Sequence, residues 1–106
     1  MLNKYWFLIR AKYKKPQEGQ RRGAARFYRN FGVTASSQKD ALSLIEPFIA
    51  EDGGVLEEAE EMIEGIELED LHEDVRKQIG NTEERGVWYQ SGQMQHDGDL
   101  EEDGED

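Results

Sequence analysis

The first apolar positions of the chain alternate with a period of two, which is typical of a β-strand. Within residues 4–13, one face carries an apolar side chain at every second position: Tyr5, Phe7, Ile9, Ala11 and Tyr13. The opposite face begins apolar, with Trp6 and Leu8, and becomes polar at Arg10. This pattern predicts a central strand that is buried on both sides near its start.

Residues 26–35 alternate in the same way and are the predicted partner of the first strand. One face is apolar apart from Arg29; its other members are Phe27, Phe31, Val33 and Ala35. The connection through residues 14–25 contains one proline and two glycines and is expected to be an exposed, mobile loop. Gly32 interrupts the opposite face, which indicates a bulge or a close approach of the backbone.

Residues 36–52 carry the period of an amphipathic α-helix. Its apolar stripe consists of Ala41, Leu44, Ile45, Phe48 and Ile49. Ser36 or Ser37 can cap the first turn, and Asp40 three positions after Ser37 approximates a capping box.

Pro47 is the one residue of this helix that conflicts with a helical interior, because proline removes a backbone hydrogen bond and clashes with the preceding turn. We therefore expect a kink, or a short second turn after Glu46. Gly53 and Gly54 predict a left-handed stop at the end of the helix.

Residues 55–68 fit two structures. As a helix, the apolar side chains fall within a third of the helical wheel: Val55, Leu56, Ala59, Met62, Ile63 and Ile66. Their position after a helix stop favours a strand, because a two-stranded hairpin alone is a marginal sheet. We predict a strand within residues 60–68 and keep the helix as the alternative.

The remaining pattern predicts a short helix through Leu71, Val75 and Ile79 and a last strand at residues 85–91, with Val87 and Tyr89 on the face opposite to Trp88. The fold class is therefore α+β: a small antiparallel or mixed sheet of three to four strands, with the helix at residues 36–52 packed on one face. The expected element order is β-β-α-β-α-β.

The length of 106 residues and the 36% apolar content suit a single modest core, which we assign to one domain at residues 1–91. The last ten residues contain seven acids and one large aliphatic side chain. Such a segment cannot bury enough apolar surface to offset the entropy lost on ordering, so residues 92–106 are predicted to be a disordered acidic tail.

Composition excludes several classes of protein. The chain has no cysteine, which excludes disulfides, thiolate catalysis and zinc sites built on sulfur. No run approaches the roughly 18 to 20 apolar residues of a membrane span, and residues 1–11 lack the pattern of a secretory signal. We therefore expect a cytoplasmic protein that does not bind membranes.

The net charge of −11 is divided unevenly along the chain. Residues 1–39 contain ten lysines and arginines against one acid, whereas residues 40–106 contain 23 acids against three lysines and arginines. The sign therefore changes inside the first turn of the predicted helix, between Lys39 and Asp40. A sheet and the helix packed on it would mix the two signs in space.

Residues that could carry catalysis or bind metals do not form a known motif. His72 and His96 have no second ligand at a metal-site spacing, and the serines lack the context of a nucleophile elbow. The acidic stretch at residues 97–102 departs from a calcium loop because Glu102 replaces the required glycine. We predict a binding protein and not an enzyme, with no cofactor and no metal.

The dense carboxylates of residues 57–74 are the first candidate binding surface, because such an array attracts a basic protein and raises its association rate. In size, charge and expected α+β build, the chain is similar to immunity proteins of bacterial toxin and immunity pairs. This resemblance implies that the basic partner is a toxin that the protein inhibits. The predicted contacts are rim charges: Glu57, Glu58, Glu60, Glu61, Glu64, Glu67, Glu69, Asp70, Glu73 and Asp74.

The alternative is a nucleic-acid-binding surface, because cations near Tyr13, Phe27 and Tyr28 combine phosphate contacts with rings on which bases stack. The cations concerned are Lys12, Lys14, Lys15, Arg21, Arg22, Arg26 and Arg29. The net charge opposes approach to a polyanion, and the acidic tail could mask this surface. An exposed Trp6 or Trp88 would equally indicate a homodimer.

Overall fold

A computed structural model of the protein describes residues 1–14 and 26–94. These residues form an α+β fold with a four-stranded antiparallel sheet and one main helix, which confirms the predicted fold class. The strands are β1 (Asn3–Tyr13), β2 (Arg26–Ala35), β3 (Gly54–Glu64) and β4 (Gly86–Gln90). The helices are α1 (Gln38–Glu51) and α2 (Glu73–Arg76), with a 3-10 turn at Leu68–Asp70.

Parts of two predictions lie outside the described residues: the mobile loop from residue 15 to residue 25, and the disordered tail from residue 95 onward. The described part of that tail, residues 92–94, runs beside β2. There the Tyr28 amide donates to the Met94 carbonyl at 2.7 Å, and the Met94 amide donates to the Tyr28 carbonyl at 2.8 Å.

The strand order is β3-β1-β2-β4, so β1 is a central strand, as its two apolar faces predict. Its odd-numbered side chains are buried against α1 together with the apolar face of β2. From α1, Ala41, Ile45 and Ile49 complete this core. Each of the two isoleucines stabilises the fold by about 1.5 to 3 kcal/mol through burial.

The helix α1 begins and ends as its sequence predicts. The Ser37 hydroxyl accepts a hydrogen bond from the Asp40 amide at 3.1 Å, and Gly53 adopts a positive φ of 80° after the last turn. The predicted second turn after Glu46 is wrong, because one helix runs through Pro47. Pro47 and Ser43 both lie on the exposed face, where water can satisfy the carbonyl that proline leaves without a donor.

Residues 54–64 form a strand, as we favoured over a helix, but this strand starts earlier than predicted and ends before residue 65. It pairs with nearly the whole of β1, from Tyr13 opposite Gly54 to Tyr5 opposite Glu64. Two register shifts interrupt the alternation of β3, which explains why its sequence also fits a helix.

The second face of the sheet carries a smaller core, formed by Ile66, Leu71 and Trp88. Partly buried apolar residues pack against it: Trp6, Leu68, Val75, Ile79 and Tyr89. The predicted helix in this region is shorter than expected, with a single turn at Glu73–Arg76. Residues 66–79 therefore act as a partial second layer over β1 and β4.

Gly32 lies where β2 meets the Trp88 ring, and both features predicted for it are present. The register between β2 and β4 shifts next to Gly32, so Trp88 is an extra residue between Val87 and Tyr89. Val87 packs toward α1, whereas Trp88 and Tyr89 both belong to the second core. The prediction that Tyr89 shares the face of Val87 is therefore wrong, because the bulge shifts the alternation by one residue. Trp88 is only 5% exposed, and its indole N–H donates to the Thr34 hydroxyl at 3.0 Å.

Substitution of Gly32 by alanine tests this close approach. A Cβ atom at position 32 would lie 2.3 Å from Cζ3 of Trp88, so the ring would have to move. We expect Gly32→Ala to lower the free energy of unfolding by about 1 to 3 kcal/mol, measured by urea denaturation. Gly92→Ala is the control, because no heavy atom lies within 4 Å of its added Cβ. Equal stability of the two variants would contradict the packing described.

Asp40 joins the start of α1 to the segment before β4. Arg85 binds its carboxylate as a fork, with Nε to Oδ2 at 2.9 Å and Nη2 to Oδ1 at 2.6 Å. The Ser36 amide donates to the same carboxylate at 3.1 Å. The hydrogen bonds from Arg85, and then the one from Ser36, hold the pKa of Asp40 well below its ordinary value.

This contact predicts a pH dependence of stability. Because the pKa of Asp40 is lower in the folded state, the stabilisation is present above the unfolded-state pKa and is lost as pH falls toward the folded-state pKa. We expect Asp40→Asn to lower the melting temperature at pH 6, and the difference from the unaltered protein to shrink below about pH 4. A difference that stays constant with pH would show that the charge of Asp40 does not stabilise the fold.

Candidate protein-binding surface

Two bulges in β3 place three glutamates around one arginine of β1. Arg10 lies opposite Glu58, and the two extra residues of the bulged strand are Glu57 and Glu60. All three carboxylates contact the Arg10 guanidinium: Glu60 at 2.8 Å from Nη1, Glu58 at 3.0 Å from Nη2 and Glu57 at 3.3 Å from Nε. Burial alone would lower the pKa of Arg10, but Glu60, Glu58 and Glu57 raise it.

Arg26 extends this group, because its Nε lies 3.0 Å from Glu57 Oε1. We call Arg10, Arg26, Glu57, Glu58 and Glu60 the Arg10 cluster. This cluster connects three of the four strands, β2, β1 and β3, through their side chains. The acidic and basic halves of the sequence are therefore mixed in space here. Three of the ten predicted partner contacts, Glu57, Glu58 and Glu60, form ion pairs with arginines of the protein itself.

The remaining predicted acids differ in whether a basic side chain of the protein lies near them. Glu73 lies 3.7 Å from Lys77, and Asp74 lies 3.7 Å from Nδ1 of His72. Five exposed carboxylates have no ion pair with any residue the structure describes, and we call them the acidic rim: Glu61, Glu64, Glu67, Glu69 and Asp70. They follow one another from the end of β3 into the 3-10 turn.

A cavity of about 390 Å³ lies beside the acidic rim, on the second face of the sheet. We call it the Trp6 cavity. Its apolar lining consists of Trp6, Ile63, Ile66, Leu71 and Val75, and its polar lining includes Glu67, Asp70 and His72. Sequence patterns did not identify these apolar residues as part of a site. Trp6 and Leu71 come together only because residues 66–79 fold back over the start of β1.

The seven cations predicted to bind nucleic acid differ in their surroundings. Arg29 is 9% exposed and binds within the protein, to Asp52 at 2.6 Å, to the Ser91 carbonyl at 2.9 Å and to the Gln90 side chain. Its guanidinium is therefore occupied by groups of the protein itself, which makes it less available to a phosphate. Arg26 belongs to the Arg10 cluster. Lys12 and Lys14 are exposed, and the other three members lie outside the described residues: Lys15, Arg21 and Arg22.

Of the aromatic residues named as possible interface contacts, Trp88, Phe27 and Tyr13 are buried, whereas Trp6 and Tyr28 are half-buried. Trp88 is buried, and the Trp6 ring stacks on Tyr89 with ring centres 5.3 Å apart. The exposed tryptophan that would have indicated a homodimer is therefore not found at position 88. Phe27 is fully buried and packs on Tyr13, with ring centres 4.6 Å apart.

No group of three potential metal ligands occurs within the ranges 1–14 and 26–94. Within the same ranges, no helix has the length and apolar character to cross a membrane. His96, one of the two histidines considered for metal binding, lies outside the described residues.

The fold and this surface define a small antiparallel α+β domain with a carboxylate-rich margin next to an apolar cavity. Comparisons of the chain with protein-family models, with curated proteins and with solved structures find no match.

Removal of Arg10 tests the cluster. Arg10→Met leaves three neighbouring carboxylates with Arg26 as the remaining cation of the cluster, so we expect a lower melting temperature. Salt screens charge interactions, so the loss should be larger in low salt than in 1 M salt.

The control is Arg76→Met, which removes the same charge from an exposed position that has no ion pair within the described part of the chain. If the two variants melt at the same temperature in low salt, the Arg10 cluster does not stabilise the fold.

Proposed function

We propose that the protein is a non-catalytic, cytoplasmic interaction module whose acidic surface binds a basic protein partner, such as a toxin that it inhibits. The observation that supports this most directly is the acidic rim. Five exposed carboxylates follow one another along the chain without a neighbouring cation from the described residues, and two of them, Glu67 and Asp70, line an apolar cavity. A basic partner would supply the missing positive charge.

Ion pairs within the protein reduce the number of acids that we propose as partner contacts. Glu57, Glu58 and Glu60 already interact with Arg10 or Arg26, so their attraction for a partner is reduced. The acidic rim has no such cation among the described residues. Exposed charges of this kind steer a partner of opposite sign and mainly increase the association rate.

The surface also has the composition of a protein interface. Interfaces combine an apolar centre with a polar, solvent-accessible margin. Here Ile63, half exposed on β3, and the Trp6 cavity are the apolar part, and the acidic rim is the polar part. On the other face of the sheet, α1 covers the main core.

Nucleic-acid binding has less support from the described residues. Arg26 and Arg29 interact with acids of the protein itself, which leaves Lys12 and Lys14 as exposed cations of this set without an ion pair in the described ranges. Within the described residues, two lysines give few phosphate contacts, and affinity for nucleic acid grows with the number of phosphates neutralised. We therefore prefer the acidic surface as the binding site.

Charge reversal at the rim tests the proposal. The full chain is immobilised, a basic protein is captured from a lysate of the source cells, and its association rate is measured by surface plasmon resonance. We expect Glu64→Lys with Glu67→Lys to slow association by about tenfold or more at low ionic strength. The melting temperature should hardly change, because both side chains are exposed.

The matched control is Glu46→Lys with Glu51→Lys, which changes the net charge by the same amount on exposed positions of α1, behind the sheet. This pair should slow association much less. Equal slowing by both pairs would mean that only net charge matters, and an unchanged rate for the rim pair would refute the proposed site.

A further inference from the structure

The Trp6 cavity gives the proposed interface a feature that charge alone does not explain. We propose that this cavity receives one bulky apolar side chain, aromatic or large aliphatic, from a basic segment of the partner. This inference rests on the proposed function, and it specifies the chemistry of the partner: a cationic segment that carries an apolar anchor.

The walls of the cavity suit an apolar anchor. Ile66 and Leu71 are each 9% exposed and belong to the second core, whereas Ile63 is 50% exposed on the strand next to them. The position of the Trp6 ring is supported by its stacking on the Tyr89 ring. An inserted side chain would therefore meet a packed apolar wall and would cover Ile63.

The cavity is large enough for one bulky side chain. Its volume of about 390 Å³ is at the lower end of the roughly 300 to 1,000 Å³ of small-molecule sites. One large side chain inserted into a pocket is also the usual form of a binding hot spot, which is surrounded by contacts that exclude water.

The charges around the cavity determine which kind of chain can supply this anchor. Glu67 and Asp70 contribute to the lining, and no lysine or arginine of the described residues lines the cavity. An acidic peptide or a phosphate backbone would be repelled. A second copy of this chain would bring a second acidic rim against the first, so a basic segment of a different protein is the complementary occupant.

The two parts of the interface should have separable effects on binding. The rim charges are exposed and act mainly on association, whereas a desolvated apolar contact acts mainly on dissociation. A substitution inside the cavity should therefore weaken binding even when all carboxylates are kept.

The test uses two synthetic peptides, acetyl-GKKWKKG-amide and acetyl-GKKAKKG-amide, with binding to the full chain measured by calorimetry. We expect the tryptophan peptide to bind more tightly. Ile63→Ser should weaken that peptide by about fivefold to tenfold and leave the alanine peptide unchanged. Val55→Ser is the matched control, because Val55 is also 50% exposed on β3 but does not line the cavity.

Each outcome distinguishes the cavity from the rim. If Ile63→Ser and Val55→Ser bind the tryptophan peptide equally while Glu64→Lys with Glu67→Lys weakens it, the cavity proposal is overturned and the proposed function stands. If neither peptide binds, or if the rim variant has no effect on either peptide, both proposals fail. Methyl NMR of the unaltered protein is the check on folding. The tryptophan peptide should shift the signals of Ile63 and Leu71, and unshifted signals would overturn the cavity proposal.

Discussion

The pairing of β3 with β1 is the interaction on which the rest of the structure depends. It places the start of the acidic half of the chain directly against the basic hairpin, with β1 at the centre of the sheet. If the register at the Tyr5–Glu64 end continued without a bulge, Arg10 would lie opposite Ala59. The two extra residues, Glu57 and Glu60, instead bring three carboxylates to one guanidinium and turn a region of like charge into a stabilised cluster.

The same pairing decides which charges remain for a partner. The carboxylates nearest the middle of β1 interact with Arg10 and Arg26, whereas those of the acidic rim, from Glu61 to Asp70, meet no cation of the described residues. Residues 66–79 then fold over the second face and leave the Trp6 cavity at the end of the sheet where these free acids gather. The proposed interface is thus a consequence of strand register.

Local patterns in the sequence predict the fold well where one period holds without interruption. Alternation identifies β1 and β2, and the helical stripe identifies α1 with its Ser37 cap. The bounds of β3 could not be predicted, because its bulges break the period of two. The candidate site was predicted only in part: composition points to the acids, but their division into paired and free groups depends on contacts about 50 residues apart in the chain, such as Arg10 with Glu60.

The register of β3 against β1 is the most direct test of this account, because both the cluster and the free rim depend on it. Nuclear Overhauser effects between backbone protons of the two strands measure that register. The account predicts that Leu8 lies opposite Glu61 and Arg10 opposite Glu58, with one extra residue of β3 between these pairs. Nuclear Overhauser effects that place Arg10 opposite Ala59 would show that the bulge at Glu60 is absent. That result would contradict the division into paired and unpaired carboxylates on which the proposed function rests.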